Sequence, residues 1–199
     1  MQQLVLASNN HGKLKEIQAI LKIANINVVT QAELNISEAP EPHCTFIENA
    51  LAKARHASLQ SGLPALADDS GLCIEVLAGL PGVYSARYAC EHETDKKSDR
   101  ANNVKLLSAL AKHTNRKAYY YCVLVLVKYA TDPQPIIAEG IWRGEILITP
   151  RGEGGFGYDP LFLDVASGRT AAELPLNTKN LMSHRGQALQ QLLQKIQLS

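Results

Sequence analysis

Leu66-Ala67-Asp68-Asp69-Ser70-Gly71-Leu72 is the stretch on which the reading of this chain turns. The apolar run Ala65 to Ala67 reads as a short buried strand, and the two carboxylates, hydroxyl and glycine that follow read as its polar working end. A carboxylate beside a carboxylate raises the electrostatic free energy unless positive charge stands near, so a divalent cation with oxygen ligands is the natural guest. Asp, Ser and Gly in a row are equally the residues of a turn, and on this tetrad alone chemistry and turn stand level.

Upstream, Leu4 to Ala7 predicts a buried strand that runs into Ser8, Asn9, Asn10, His11, Gly12 and Lys13, followed by Leu14, Ile17, Ile20 and Leu21 at helical spacing. A strand, a polar turn and a helix present backbone N–H groups and a positive dipole end to an anion, with Lys13 placed to add charge. The same residues also serve as an ordinary helix cap with a solvated lysine. The stretch is not a P-loop, which needs glycine where Ala7 stands and Ser or Thr where Leu14 stands. Ile26 to Thr30 predicts a second strand, and residues 33–44 a polar loop that carries Glu38 and Glu41. Thr45 and Glu48 form a capping box at the head of a helix reaching about Ser61, with Phe46, Ala50, Leu51, Ala54 and Ala57 inward and Lys53 and Arg55 available. Glu48 is occupied as a cap, so Glu41 is preferred over it as a metal carboxylate to join Asp68 and Asp69.

Downstream, Cys73, Ile74, Val76 and Leu77 resume the core, Gly79, Pro81 and Gly82 make a tight loop, and residues 91–100 are charged, an exposed surface segment or a lid. Val104, Leu107, Leu110 and Ala111 mark a helix. Ala118 to Tyr129 and Ile136 to Ile148 predict a long antiparallel hairpin, read as scaffold, with Tyr119, Tyr120 and Tyr121 divided between its faces. Gly152, Gly154 and Gly157 match the letters of a dinucleotide fingerprint, but Pro160 follows where a helix belongs, so that reading is rejected. Glycines around Phe156, with Tyr158 and Asp159 next, suit a loop that brings backbone close to a flat ligand, an aromatic to stack on it and a carboxylate for its ring N–H. Thr170 and Glu173 predict a second capping box on a short helix that Pro175 breaks. Lys179, Ser183, His184 and Arg185 precede the amphipathic run Leu189, Leu192, Leu193 and Ile196. Positive charge at a helix start opposes the macrodipole, which marks His184, Arg185 and Lys179 as a donor cluster chosen for function.

The 199 residues suit one domain, 1–199, at about 100 to 200 residues per domain. A net charge of +1, spread along the chain, advertises neither a nucleic-acid groove nor a membrane surface, so any anion site is local. The four cysteines contain no Cys-x-x-Cys pair and no zinc-type spacing, and they read as reduced, mostly buried thiols of a cytoplasmic protein. No apolar run is long enough for a signal peptide or a membrane span.

Six motifs taken together resemble one family. Ser8-Asn9-Asn10 to Lys13, Thr45-Phe46-Ile47-Glu48-Asn49-Ala50, Ala67-Asp68-Asp69-Ser70-Gly71-Leu72, Pro81-Gly82-Val83-Tyr84-Ser85-Ala86-Arg87, Gly155-Phe156-Gly157-Tyr158-Asp159-Pro160 and Ser183-His184-Arg185-Gly186 are similar, in order, to motifs of the inosine/xanthosine triphosphate pyrophosphatases. The resemblance implies a mixed α/β fold, an elongated central sheet flanked by helices with two lobes around an active-site cleft. It also implies a homodimer, Mg²⁺, and conversion of dITP, ITP or XTP to the monophosphate and pyrophosphate. Asp69 would bind the metal and orient or deprotonate the attacking water, with Asp68 or Glu41 completing the metal shell. Ser8 to Gly12, Lys13 and Lys53 would hold phosphates, Phe156 would stack on the purine, and Ser70, Gly157, Tyr158, Asp159, Lys179, His184 and Arg185 would contact the substrate. One departure stands out: Pro40, Glu41, Pro42 and His43 occupy the place of the acidic run often found before the Thr-Phe motif. A dTTP or UTP pyrophosphatase of related architecture and a non-catalytic nucleotide-binding module are the rival readings.

Overall fold

A computed structural model describes residues 3–92 and 95–197. Glu93 and Thr94, inside the expected surface segment 91–100, lie outside the described residues. In chain order the elements are β1 (Leu4–Leu6), α1 (His11–Ile23), β2 (Val28–Thr30), α2 (Phe46–Ser61), β3 (Ala65–Ile74), α3 (Asp99–Ala109), β4 (Lys117–Val127), β5 (Ile136–Ile146), β6 (Phe162–Asp164), β7 (Arg169–Thr170), α4 (Leu176–Met182) and α5 (His184–Gln197). Two short 3₁₀ turns, Glu75–Leu77 and Gly82–Arg87, lie between β3 and α3. The strands form a seven-stranded sheet in the order β2-β1-β3-β4-β5-β6-β7. It is mixed: β1 pairs parallel with β2 and β3, whereas β6 pairs antiparallel with β5 and β7. The α/β class with helices flanking a long sheet is therefore as expected, and no helix among the described residues is long and apolar enough to cross a membrane.

The decisive tetrad is not where its local chemistry places it. Asp68, Asp69, Ser70 and Gly71 lie in the middle of the ten-residue β3, of which only Ser70 is not buried. A strand covered on both faces gains more from burial and ladder hydrogen bonds than Asp, Ser and Gly gain from a turn, provided the carboxylates find partners. Two other local readings change in the same way. On α3, Val104 is 62% exposed while Asn102 and Leu106 are buried, so the inward face is rotated from the expected one, although Leu110, just past the helix, is buried as expected. Thr170 and Glu173 are joined, the Thr170 N–H donating to Glu173 at 2.7 Å, but they close a turn after β7, and Pro175 precedes α4 instead of breaking a helix.

The chain divides into two compact units, and both are discontinuous in sequence. The first comprises Met1–Asp69, Cys122–Gly140 and Asn180–Ser199, and the second Ser70–Tyr121 and Ile141–Lys179. The first unit's core joins Leu4, Leu6 and Leu66 of the sheet to Ile17 and Leu21 of α1 and to Ala188, Leu189 and Leu192 of α5. Gly140 lets α5 approach, because a Cβ there would stand 1.9 Å from the His184 carbonyl oxygen. In the second unit Tyr120, Trp142 and Phe162 pack on one another, Tyr120 and Phe162 with ring centroids 4.6 Å apart. All four cysteines are free thiols; Cys73 and Cys122 are buried, but Cys44 is exposed and Cys90 half-buried, so burial is less general than expected.

Candidate active site

In the first unit, the end of β1 leads through residues 7–10 into α1, whose N-cap is Asn10, its side chain accepting from the Lys13 N–H at 3.1 Å. Ser8 accepts from the Asn10 N–H, and Asn9 accepts from the Gln31 amide at 3.0 Å. His11 and Gly12 open the helix, so Ser8 to Gly12 stand at its positive end and Lys13 points toward β3.

Asp68 and Asp69, neighbours on β3, are treated oppositely. The Asp68 carboxylate meets Lys13 Nζ at 3.0 Å and an Arg185 nitrogen at 3.5 Å. Burial alone would raise its pKa, but Lys13, Arg185 and Lys53 outweigh burial and hold it well below the usual carboxylate range. Arg185, itself buried, is also gripped by Glu16 of α1; burial opposes its charge, and Glu16 and Asp68 hold it protonated. Asp69 accepts from the Asn49 amide at 3.2 Å and lies 3.6 Å from Lys53 Nζ. Burial pushes the Asp69 pKa up, Lys53 and Lys13 pull it down, Glu41 and Asp68 push it up again, and the balance stays raised. Lys53, at 2.6 Å from Glu41, is kept charged against burial by Asp69, Asp68 and Glu41. Glu48 is paired with its cap Thr45, so Glu41 is the loop acid turned toward this cluster.

Glu41 and Asp69 thus converge on a single cation, the Lys53 ammonium. Two hard oxygen donors around one positive charge suit Mg²⁺, which is commonly held by one or two carboxylates together with substrate phosphates and water. Among the described residues no group of three or more His, Cys, Asp and Glu gathers as an all-protein cage.

The second unit builds a different site around Asp159. Its carboxylate accepts from Lys179 Nζ at 2.7 Å, from the Phe156 N–H at 3.0 Å and from the Tyr120 hydroxyl at 3.2 Å. Asp159 is thus turned into its own loop and organises it, which differs from the expectation of a carboxylate offered outward to a ring N–H. Gly155 is required here, since a Cβ would meet the Asp159 carboxylate at 2.0 Å and its φ is +75°. Lys179 Nζ lies 5.1 Å from the centroid of the Phe156 ring, and Tyr158 donates from its hydroxyl to the Ser85 carbonyl at 2.8 Å. Ser70 is half-buried on β3.

The Ham1 family model matches residues 4–195. The chain belongs to the Ham1 family. Among curated relatives, a dITP/XTP pyrophosphatase of Ralstonia nicotianae is 60% identical over 100% of this chain and 98% of its own length. One of Nitrosomonas europaea, with the same description, is 58% identical over 98% of this chain and 95% of its own. Of solved structures, a Ham1 protein of Coxiella burnetii matches with a TM-score of 0.90 at 46% identity, covering 100% of both chains. The Staphylococcus aureus Ham1 protein matches with a TM-score of 0.86 at 36% identity, covering 98% of each.

Against this Ham1 frame, the expected cluster of Lys179, His184 and Arg185 is held by different carboxylates: Lys179 by Asp159, Arg185 by Glu16 and Asp68. His184 opens α5 and is buried, and Gly186 is there because a Cβ would meet the Asn180 carbonyl oxygen at 1.9 Å. Sequence reasoning missed Glu16, Asn49 and Tyr120. Glu16 had a signal, since it stands three residues after Lys13 on the same side of a helix. Asn49 had one too, as a polar residue on the apolar face of α2. Tyr120 had none beyond strand alternation.

Proposed function

We propose that this protein hydrolyses dITP and XTP to the monophosphate and pyrophosphate, clearing deaminated purines from the nucleotide pool. The observation that carries the reading is the pair of adjacent buried aspartates set among three cations, Asp68 against Lys13 and Arg185 and Asp69 beside Lys53, with Asp68 shifted down and Asp69 up. Such divergence separates a permanent counter-ion from a proton acceptor. Family membership and relatives described as dITP/XTP pyrophosphatases point to the same chemistry.

In the proposed reaction Asp69 takes the proton of a water whose oxygen forms a bond to the α-phosphorus, while the bond from that phosphorus to the bridging oxygen breaks and its electrons leave with pyrophosphate. Lys13, Lys53 and the α1 N-terminus neutralise and orient the triphosphate. Asp68 pairs with Lys13 and Arg185 and holds both side chains in place. Asp69 and Glu41 would hold Mg²⁺. That ion, when bound, screens the phosphate charge and makes a water more acidic. In the second unit Phe156 supplies a stacking face and Lys179 a donor for a 6-keto purine. Adenine presents a 6-amino group to the same donor, and a site built on such hydrogen bonds discriminates by roughly 10⁴-fold. Homodimeric assembly and a cytoplasmic address belong to the same proposal, the first checked by light scattering.

The test is Mg²⁺-supported pyrophosphate release from dITP, XTP, dGTP, dATP and dTTP side by side, with and without chelator. Turnover confined to dITP and XTP and lost with chelator is expected. Preference for dTTP, or binding of inosine nucleotides without turnover, sinks the reading in favour of a pyrimidine pyrophosphatase or a binding module.

A further inference from the structure

Within the second unit, α3 reaches across more than fifty residues of sequence to a single residue of the Phe156 loop. Asp99, in the first turn of α3, accepts from the Gly157 N–H at 2.7 Å. Asn103, one turn later on the same face, donates from its amide to the Gly157 carbonyl at 2.9 Å. Both backbone polar groups of the residue that follows Phe156 are therefore held by side chains of one rigid helix. Asn102, beside them, ties α3 to a further segment, accepting from the Ala89 N–H at 2.8 Å and donating to the Ala86 carbonyl at 3.2 Å. That segment carries Ser85, whose carbonyl receives the Tyr158 hydroxyl.

The loop needs such restraint. Gly152, Gly155 and Gly157 all have positive φ, at 80°, 75° and 63°. A glycine-rich segment has more conformations to lose on ordering than any other, so an aromatic carried on it is poorly placed unless the backbone is fixed from outside. Asp159 fixes the N–H of Phe156 from within the loop, and α3 fixes Gly157 from outside it. An Asp in a first helical turn already complements the macrodipole, and that role asks for no partner 58 residues away. An Asn at the fifth position of the helix has no cap to make.

We propose that Asp99 and Asn103 are positioning residues for base recognition, a two-point clamp that holds the Gly157 backbone so that Phe156 presents its ring to the purine. The inference rests on the reading of the Phe156 loop as the purine platform. The clamp acts through Phe156 and touches no reacting atom, so it sets KM and base preference and leaves the chemical step alone.

Pyrophosphate release from dITP is followed in the wild type, in Asp99→Ala and Asn103→Ala, in the isosteric variants Asp99→Asn and Asn103→Asp, and in each alanine variant combined with Phe156→Ala. Each alanine variant is expected to raise KM about three- to tenfold with kcat changed less than about twofold. Asp99→Asn, which keeps a carbonyl acceptor for the Gly157 N–H, recovers most of the loss, whereas Asn103→Asp, which turns an acceptor toward the Gly157 carbonyl, recovers none. In the Phe156→Ala background neither alanine substitution raises KM further, the non-additivity expected of groups that work through one another. Fully additive effects, or a fall in kcat at unchanged KM, overturn the clamp. The isosteric pair decides the matter if an alanine variant does not fold. A wild type that turns over no dITP sinks the functional reading and the clamp together, while additivity in an active wild type sinks the clamp alone.

Discussion

Each unit buries an aspartate against a lysine, and the two arrangements have opposite designs. In the first, Asp68 and Asp69 are surrounded by Lys13, Lys53 and Arg185, three full charges with Glu16 and Glu41 behind them. In the second, Asp159 meets one ammonium and otherwise neutral donors, a phenol and a peptide N–H, with an aromatic ring alongside. Massed charge at low dielectric suits a polyanion and a proton acceptor, because its field is strong and largely indifferent to the ligand's shape. Directional neutral donors spent on Asp159 fix the loop and the ring it carries, which suits the flat face of a heterocycle. The difference teaches that, on the proposed function, reaction and selectivity would fall to separate networks, which substitutions can take apart one at a time.

The largest expected effect breaks or keeps that separation. Asp69→Asn preserves shape and removes the acceptor, so kcat for dITP falls by about 10²–10⁴ while KM moves only a few-fold. Asp159→Asn lowers kcat far less and instead erodes the preference for dITP over dATP. Steady-state kinetics on the two nucleotides, with thermal melting to show both variants folded, settles it. Equal losses of kcat in the two variants would mean that the networks are not separable.

Stability gives the next test. Lys179 and Asp159 are both nearly inaccessible and 2.7 Å apart. Removing one member of such a pair costs about 3–5 kcal/mol, because the other charge stays buried, whereas removing both together often costs less. Lys179→Met is therefore expected to lower Tm by roughly 6 to 20 °C, and Asp159→Asn combined with Lys179→Met to recover part of it. Lys53→Met has a smaller effect on Tm, since its side chain is 13% accessible and water can reach what it leaves behind. A double variant no more stable than either single one removes the pair from the account of how this loop is held.

How much of this was legible depended on distance along the chain. The capping pair Thr45 and Glu48, a helix start capped within Ser8 to Asn10 and the C-terminal apolar stripe are local patterns, and the chain folds as they say. Asp68 and Asp69 were legible as chemistry but not as mid-strand residues, because what permits them there is Lys13, Lys53 and Arg185, up to 117 residues away, and no propensity carries that information. Glu16 and Asn49 could have been found by asking why a polar side chain sits on a helix's buried side. Tyr120, Asp99 and Asn103 could not, because their roles exist only once Asp159 and Gly157 have been brought to them by tertiary structure. The Thr170 and Glu173 pair marks the opposite limit, where the hydrogen bond was legible and the element it was expected to start was not.

The smallest effect sharpens the comparison through two buried thiols. Cys122, on the first unit's part of β4, is buried, and burial outweighs the Arg185 charge to push its pKa up to about 12 from an ordinary value of 9.0. Cys73, in the second unit, is also raised by burial, but a hydrogen bond with Tyr119 lowers it in part. A thiol whose folded pKa exceeds its unfolded one binds more protons in the native state, so its contribution is complete below the unfolded value and is lost as pH climbs toward the folded one. The slope contributed by one such group is at most about 1.4 kcal/mol per pH unit. Unfolding free energies from urea titrations at pH 8 and pH 10.5 should therefore fall more steeply in the wild type than in Cys122→Ala. Cys73→Ala should flatten the slope less, since the Tyr119 bond narrows the gap between its folded and unfolded values. The slopes are compared within each variant, so the cavity left by a lost thiol cancels. Equal flattening by the two substitutions would show that burial leaves Cys122, beside the Arg185 charge, no harder to ionise than a thiol backed by a tyrosine.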